Sequence, residues 1–508
     1  MMRFIDSILN RITMYRLVVY ELLFLLAAAL GLSALGILSF SPVQLGYSVA
    51  LIFIVAWIVN KVFAYFFDAP SNPESTYITA LILALIITPP QGFGDTQFLM
   101  LAGWAAAWAI VSKYIFAIRK KHIFNPAAFG VAVPALFLNQ AASWWVGTPW
   151  MLPFVLIGGF LVARKVRRLG MVGMFLGAFL VTTIVLSSGS IDIIQTLQHA
   201  FIYAPAIFFG TVMLTEPLTA PTDKYWRILF AGFVGFLFAP QVHAGSFYFT
   251  PELALLAGNV FAYLVNSKQK LVLTLVQRIP IAKDTYEFVF SHDGRLAFTP
   301  GQYLEWTLPH AHADSRGIRR YFTISSSPSE NEIRIGVKFY TPASSFKTAL
   351  FAMRKGDTLV ASQLAGDFVL PKNPKKKLVF IAGGIGVTPF SSMIESLLKK
   401  QERRDIVMLY SNRTIEDVAY IHLLDRAERE LGIETLPIIS DPTPEQRAKK
   451  EFPRMIDANL IAAEIPDYQE RLFYISGPHA MITAFEDQLK ERGIPKRNIK
   501  TDFFPGFA

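Results

Sequence analysis

Charge is distributed along this chain in two regimes, and the break near residue 267 constrains the fold more than any other feature. Only 14 of the 48 Lys and Arg residues, and 9 of the 38 Asp and Glu residues, lie before position 267. The first half is starved of charge; the second is charged like an ordinary soluble domain. At 508 residues the chain also exceeds the roughly 250–300 residues at which a single core stops growing. Apolar stretches fall at 17–40, 46–67, 76–89, 98–118, 126–139, 150–163, 170–187, 199–214, 226–241 and 251–265. A bilayer crossing takes about 20 apolar residues, so several stretches read as plain crossings and several are too short.

Basic residues orient these stretches. Arg3, Arg11 and Arg16 precede the first; Arg119, Lys120 and Lys121 follow the fourth; Arg164, Lys165, Arg167 and Arg168 follow the sixth. Lys224 and Arg227 follow the eighth, Lys268 and Lys270 the tenth, whereas loops 41–45, 90–97, 140–149, 188–198 and 242–250 carry no Lys or Arg. The alternation predicts ten crossings of the cell membrane with both termini cytoplasmic. The net charge of +10 is then mostly topological, and nucleic acid is not implied.

Ten crossings divide into two inverted sets of five, placing the short third stretch (Tyr77–Pro89) and the short eighth (Ile202–Leu214) in matching positions. Paired short segments in inverted halves point to a site near the midplane; two merely tilted or short spans are the alternative. Glu21 is the one carboxylate well inside a stretch, and its place near the inner surface predicts a snorkelling side chain. With no cysteine, thiolate iron–sulfur clusters and Cys-zinc sites are excluded, and no metal site is expected. His199 and His243 lie near span ends without helical partners, which disfavours paired-His haem.

Beyond the break, alternation and Gly/Pro/Asp punctuation predict strands at Leu271–Gln277, Glu287–Ser291, Gln302–Leu308, Tyr321–Ser325, Ile333–Tyr340 and Asp357–Leu364, an antiparallel barrel over 267–373. From 374 to 508 the pattern becomes strand, turn, helix: Lys377–Ala382, the turn Gly383-Gly384-Ile385-Gly386-Val387-Thr388-Pro389, then Phe390–Lys400. Strands at Ile406–Tyr410, Thr435–Ile439 and Leu472–Ile475 complete a doubly wound parallel sheet. A glycine turn between strand and helix can cradle a diphosphate, although such turns also serve packing. Arg320-Tyr321-Phe322-Thr323-Ile324-Ser325-Ser326 offers a cation for a diphosphate, an aromatic to cover a ring and a hydroxyl for a ring nitrogen.

These elements recur in order: Phe298-Thr299-Pro300-Gly301-Gln302-Tyr303, Arg320-Tyr321-Phe322-Thr323, Gly366-Asp367-Phe368, the glycine turn, Ser476-Gly477-Pro478 and Asp502-Phe503-Phe504-Pro505-Gly506-Phe507. Over residues 268–508 the chain resembles the ferredoxin–NADP reductase superfamily. The resemblance implies FAD and NADH or NADPH as cofactors. It places Phe322 against the isoalloxazine, Thr323 near its N5, Arg320 on the FAD diphosphate, and Ser345 near a phosphate site. It places Gly384, Gly386, Thr388 and Gly477 along the nicotinamide nucleotide, and Asp502 and Phe504 where nicotinamide meets flavin. Tyr321, Ser326, Val337, Lys338, Ser344, Gly383, Pro389, Ser411, Arg413, Pro478 and Met481 complete the implied binding set. Ser476 stands where the family often has Cys; with Thr323 and Asp502 it forms the implied catalytic set. Arg413, after the second strand, could hold a 2′-phosphate, and Asp417 could neutralise it, which with the NADH-linked resemblance below favours NADH.

In the first half, Ser71-Asn72-Pro73-Glu74-Ser75, Phe124-Asn125-Pro126-Ala127-Ala128-Phe129-Gly130 and Leu214-Thr215-Glu216-Pro217 resemble a family of membrane subunits shared by the sodium-pumping NADH:quinone reductase and the Rnf complex. That resemblance implies ten helices in an inverted repeat and electron transfer through membrane flavin, often coupled to ion movement. Those subunits bind FMN covalently at Thr in an Asp-x-x-Ser-Gly-Ala-Thr motif; here the loop reads Trp144-Trp145-Val146-Gly147-Thr148-Pro149-Trp150, keeping only Gly-Thr-Pro around Thr148. Covalent flavin at Thr148, a non-covalent flavin or quinone, and an interfacial belt of Trp side chains are the open readings. Together the halves suggest a membrane-bound NAD(P)H dehydrogenase passing electrons to a membrane flavin or quinone. The alternatives are a transporter with a tethered reductase, and a reductase of a soluble acceptor merely anchored by its first half.

Overall fold

The computed structural model describes residues 5, 9, 12–67, 73–118, 121–187, 198, 202, 205–266, 271–292, 296–314, 317–448 and 456–502. The sequence expectations for Arg3, Arg11, Ser71, Asn72, Arg119, Lys120, His199, Lys268, Lys270 and Phe504 lie outside the described residues. The chain divides into two compact units that meet in sequence at Lys268 and Gln269.

The first unit is helical. Its helices are α1 (Met14–Ala34), α2 (Pro42–Phe66), α3 (Pro73–Ile86), α4 (Thr96–Ile115), α5 (Pro126–Phe137), α6 (Leu152–Lys165), α7 (Leu169–Leu186), α8 (Ala206–Phe208, running into a π-helical turn Phe209–Met213), α9 (Lys224–Phe238) and α10 (Pro251–Val265). Among the described residues four, α1, α2, α4 and α7, are long and apolar enough to cross a membrane by length and composition. Local chemistry sets the starts. Ser41 and Gln44 form a capping box ahead of Pro42, and the Asn125 side chain accepts from Ala128 N ahead of Pro126. Gly130 lets α5 approach α4 closely, since a Cβ there would lie 2.7 Å from Ala109 Cβ.

Glu21 departs from expectation. Its side chain does not reach the surface: the residue is 5% exposed and packs against Gly158 of α6. Helix packing covers the position that sequence depth alone assigns to snorkelling.

The second unit opens with a six-stranded antiparallel sheet of β1 (Leu271–Ala282), β2 (Thr285–His292), β3 (Tyr303–Thr307), β4 (Arg319–Thr323), β5 (Glu332–Lys338) and β6 (Thr358–Ala365), in the order β4-β3-β6-β1-β2-β5. The edges β4 and β5 are linked beyond their ladders by Ser325 N donating to Arg334 O at 2.8 Å. Phe288, Phe290, Trp306 and Ile335 are fully buried between these strands, and Phe346 of helix α11 (Ser345–Ala352) closes one end.

A five-stranded parallel sheet follows: β7 (Leu378–Gly383), β8 (Ile406–Asn412), β9 (Glu434–Ile439), β10 (Leu472–Ser476) and β11 (Ile499–Thr501), in the order β9-β8-β7-β10-β11. Every residue of β7 is buried, as its unbroken apolar run Leu378–Ala382 requires of a strand covered on both faces. The helix after it, α12 (Thr388–Lys400), carries Pro in its first turn and seats Phe390 on Phe380, ring centroids 4.6 Å apart. Strand order reverses between β7 and β10, a topological switch point of the kind beside which open α/β sheets bind ligands at the carboxyl ends of their strands. Strand limits differ from sequence expectation by a few residues; the largest difference is β1, which runs on to Ala282 through a bulge around Leu275–Gln277.

Candidate active site

Strand alternation divides the Arg320–Thr323 segment between two faces of β4. Arg320 and Phe322 share one face, where the Phe346 ring lies 5.3 Å from the Arg320 guanidinium and 5.9 Å from the Phe322 ring. Tyr321 faces the other way and donates its hydroxyl to Glu305 at 2.9 Å, beside Tyr303. Arg320 is buried and forked. One terminal nitrogen bonds the carbonyls of Gly317 (3.0 Å) and Arg319 (2.6 Å); the other meets Asp314 Oδ1 at 3.0 Å and Oδ2 at 3.3 Å.

The same Asp314 carboxylate accepts from Ser345 N at 3.3 Å, at the start of α11, while Ser345 Oγ accepts from Asp314 N and lies 3.0 Å from His310 Nε2. Arg320 and Ser345, 25 positions apart, therefore form one cradle for anionic oxygens, filled here by a carboxylate. A diphosphate fits that donor set. Ser344 caps α11 through Lys347 N, and Val337 is sealed in the sheet core.

The glycine turn sits at the switch point. Gly384 adopts φ +52 with open space where a Cβ would be, so a ligand can approach its backbone. Gly386 differs: a Cβ there would come within 2.6 Å of Gly477 Cα and N, so this glycine is needed for the ends of β7 and β10 to meet. Met481 and Pro478 fill the space over Gly383, with Met481 Cε 2.7 Å from a would-be Cβ. Thr388 caps the turn by donating to Ile385 O at 3.2 Å, and Pro389 starts α12. Ser476 Oγ donates to Asp502 Oδ2 at 3.1 Å, so two residues assigned to catalysis by resemblance are neighbours.

A buried seam joins the antiparallel sheet to this turn. Ser391 and Ser392 of α12 donate to the carbonyls of Ser325 (3.3 Å) and Ser326 (2.7 Å), two and three residues beyond Thr323, which is itself buried. Lys338 Nζ lies 2.7 Å from Asp417 Oδ1. Asp417 is thus engaged by Lys338 and by Thr414, and Arg413 faces Asp441 instead, at 3.7 Å with both side chains largely exposed. The sequence expectation that Asp417 neutralises Arg413 is corrected: the helical turn after Thr414 carries Asp417 back against β5. Ser411 pairs with Gly383 across the β7–β8 ladder, at the carboxyl ends of both strands.

Asp314, His310, Glu287 and Tyr420 belong to none of the sequence motifs, and the fold alone brings them to the site. Only Glu287 carries a sequence signal, as a charged residue at a buried position of β2. It accepts from Ser325 Oγ (3.0 Å) and Tyr420 OH (2.9 Å), and its burial raises the carboxyl pKa despite these donors.

Thr148, in the helical unit, follows the short turn Trp145–Gly147. It lines a small cavity with Val146, Gly147, Leu152, Val155, Pro205, Ile207 and Phe208, and its buried Oγ1 has no partner among the described residues.

Residues 380–487 match the oxidoreductase NAD-binding domain family. The flavohemoprotein of Bacillus subtilis is 30% identical over 213 residues, 41% of this chain and 51% of that protein. Flavohemoprotein A of Dictyostelium discoideum is 27% identical over 216 residues, 41% of this chain and 52% of its own. The cytochrome b5 reductase domain of Ulva prolifera nitrate reductase superposes with a TM-score of 0.42 at 20% identity, covering 46% of this chain and 98% of that domain. The chain spans about half the length of the curated relatives it matches. The helical unit's likeness to membrane subunits of quinone reductases rests on its motifs alone. Family match, parallel sheet and glycine turn agree, and residues 380–487 of this chain carry an oxidoreductase NAD-binding domain.

Proposed function

We propose that the chain is a membrane-bound, flavin-dependent NAD(P)H dehydrogenase. Its C-terminal unit takes hydride from NAD(P)H, with NADH the favoured donor, and its helical unit carries the electrons onward to a membrane flavin or a quinone. The observation that carries the reading is the placement, within one unit, of the Arg320–Ser345 cradle and the Phe322–Thr323 edge beside the glycine turn at the switch point. FAD, when bound, supplies a two-electron acceptor that releases electrons singly. Arg320 and Ser345 N–H hold its diphosphate, Phe322 covers the ring, and Thr323 offers a hydroxyl at the ring edge. Gly384 and the start of α12 bind the dinucleotide diphosphate, and the Ser476–Asp502 pair borders the nicotinamide.

For the helical unit, four long apolar helices and the outward-facing Ile54, Trp57, Ile58 and Val62 on α2 support a bilayer, since an apolar surface of this kind is costly in water. The same reading takes ten crossings of the cell membrane with both termini in the cytoplasm, which the basic-loop alternation supports, and an inverted repeat, which the resemblance implies. A second flavin, FMN or riboflavin, or a quinone in the helical unit belongs to the same reading, with Thr148, whose buried hydroxyl has no partner among the described residues, as its candidate anchor. Ion movement coupled to this electron path belongs to the same reading.

Purified full-length protein should carry FAD, bleach its flavin on anaerobic NADH addition, and reduce a soluble quinone analogue. A second flavin equivalent lost in Thr148→Val supports the relay. One FAD per chain with transfer only to soluble acceptors favours the anchored reductase and overturns the proposal. Labelling of a cysteine introduced in loop 140–149 from the cytoplasmic side contradicts the topology.

A further inference from the structure

The contact between Glu287 and Tyr420 has no part in the cofactor roles above, yet it is built at a cost. Tyr420 holds φ +60 and ψ +24, a left-handed conformation that costs a non-glycine residue about 1–2 kcal/mol. Its hydroxyl donates to Glu287 Oε1 at 2.9 Å, and Ser325 Oγ donates to the same oxygen at 3.0 Å. Arg334 Nη1 stands 3.9 Å from Oε2. A carboxylate that is 7% exposed is expensive to desolvate, so the arrangement persists only because these donors converge.

The three elements joined this way are the ones whose spacing decides hydride transfer. Ser325 lies two residues beyond Thr323, at the proposed flavin edge. Glu287 belongs to β2 of the antiparallel sheet, whereas Tyr420 precedes α13 (Ile421–Leu431), beside the glycine turn. Gly336 of β5 gives the closeness of approach: a Cβ there would stand 2.6 Å from Tyr420 Oη, 2.9 Å from Thr388 Cγ2 and 3.3 Å from Ile385 Cδ1. Glycine at 336 is what allows the turn and the tyrosine to close on the sheet together.

We propose that Glu287 and Tyr420 are positioning residues, a buried interdomain bond that fixes the distance between the Thr323 edge and the Gly384–Thr388 turn. The inference rests on the flavin and nicotinamide assignments above. Neither side chain touches the reacting atoms; both act through Ser325 and the turn. Hydride transfer depends steeply on reacting-atom distance, and a misplacement of about 1 Å costs up to about a hundredfold in rate.

The test uses the FAD-loaded full-length protein in detergent, with Tyr420→Phe, Glu287→Gln and Glu287→Ala. Flavin content, NADH dissociation constant, limiting rate of flavin reduction and long-wavelength nicotinamide–flavin charge-transfer absorbance are measured for each. Tyr420→Phe and Glu287→Ala should lower the limiting rate about tenfold or more and weaken the charge-transfer band, with flavin content retained and NADH affinity within about threefold of wild type. Glu287→Gln keeps an acceptor oxygen for both hydroxyls and should restore the band and most of the rate. A wild-type band and rate in Tyr420→Phe overturns the proposal, as does a loss confined to flavin content or NADH affinity. Thr323→Val separates the two layers: if it leaves flavin reduction unchanged, the flavin assignment fails whatever Tyr420→Phe does.

Discussion

Ser476 at the end of β10 donates its hydroxyl to Asp502, the residue after β11, across 3.1 Å. The bond ties two adjacent parallel strands at their carboxyl ends, beside the switch point. Ser476→Ala should therefore remove one hydroxyl donor from the Asp502 carboxylate and slow flavin reduction by NADH about three- to tenfold, with flavin content unchanged. Ser476→Thr, which keeps the donor, should lose less. Stopped-flow reduction of both variants decides; equal losses in both mean the hydroxyl does not act through Asp502.

Arg320 and Phe322 should hold the flavin independently of the nicotinamide site. Removing a hydrogen-bonding cation costs about 1.5–3 kcal/mol, a factor of roughly ten to a hundred in FAD affinity. Arg320→Ala and Phe322→Ala should emerge colourless from purification, with yield of folded protein retained. Asp314→Asn, which removes the competing carboxylate charge, should bind FAD more tightly than wild type. Flavin absorbance per chain checks all three, and a fully yellow Arg320→Ala/Phe322→Ala protein refutes the assignment.

The glycines of the turn differ in what they do. Gly386→Ala must push its methyl into the Gly477 backbone, and overpacking of this kind costs about 1–3 kcal/mol and parts β7 from β10. Gly384→Ala meets no atom and bears only the left-handed strain of about 1–2 kcal/mol. Gly386→Ala should lose NADH affinity and thermal stability together. Gly384→Ala, with its methyl beside the ligand path, should lose affinity more than stability. Calorimetry and NADH titration separate the two.

Glu395 on α12 titrates unusually, and the sign of its effect can be worked out. Burial and the neighbouring Glu330 carboxylate raise its pKa from 4.5 to about 7, against the pull of Arg334 and Lys399. The folded state then holds a proton that the unfolded state releases near 4.5, so stability falls as pH rises from about 4.5 to about 7 and levels off above. Glu395→Gln should melt higher than wild type at pH 8 and no higher at pH 4. A pH-independent difference in melting temperature contradicts this account.

The proposed donor choice is tested at Arg413. Its guanidinium is exposed and pairs with the exposed Asp441 carboxylate only at 3.7 Å, so little electrostatic energy holds it. NADH should be preferred modestly, and Asp441→Asn should raise kcat/KM for NADPH several-fold while leaving NADH nearly unchanged. A strong NADPH preference in wild type that collapses in Arg413→Ala shows Arg413 to be a phosphate ligand.

The sequence by itself determined the local chemistry. A continuous apolar run makes β7 a strand buried on both faces, Pro389 and the glycines mark where it turns into α12, and Asn125-Pro126 starts α5, because each of these is a short-range consequence of residue type. The placing of the charge break near 267 followed from composition, since apolar and charged segments need different surroundings. Tertiary structure alone decided the pairings. Asp314 beside Arg320, Lys338 on Asp417 and Tyr420 on Glu287 join residues between 6 and 133 positions apart, and no periodicity encodes which partner a buried charge will meet. Glu21 shows the same limit: its depth in the apolar stretch was legible, but whether its carboxyl reached the surface depended on Gly158 of another helix packing over it.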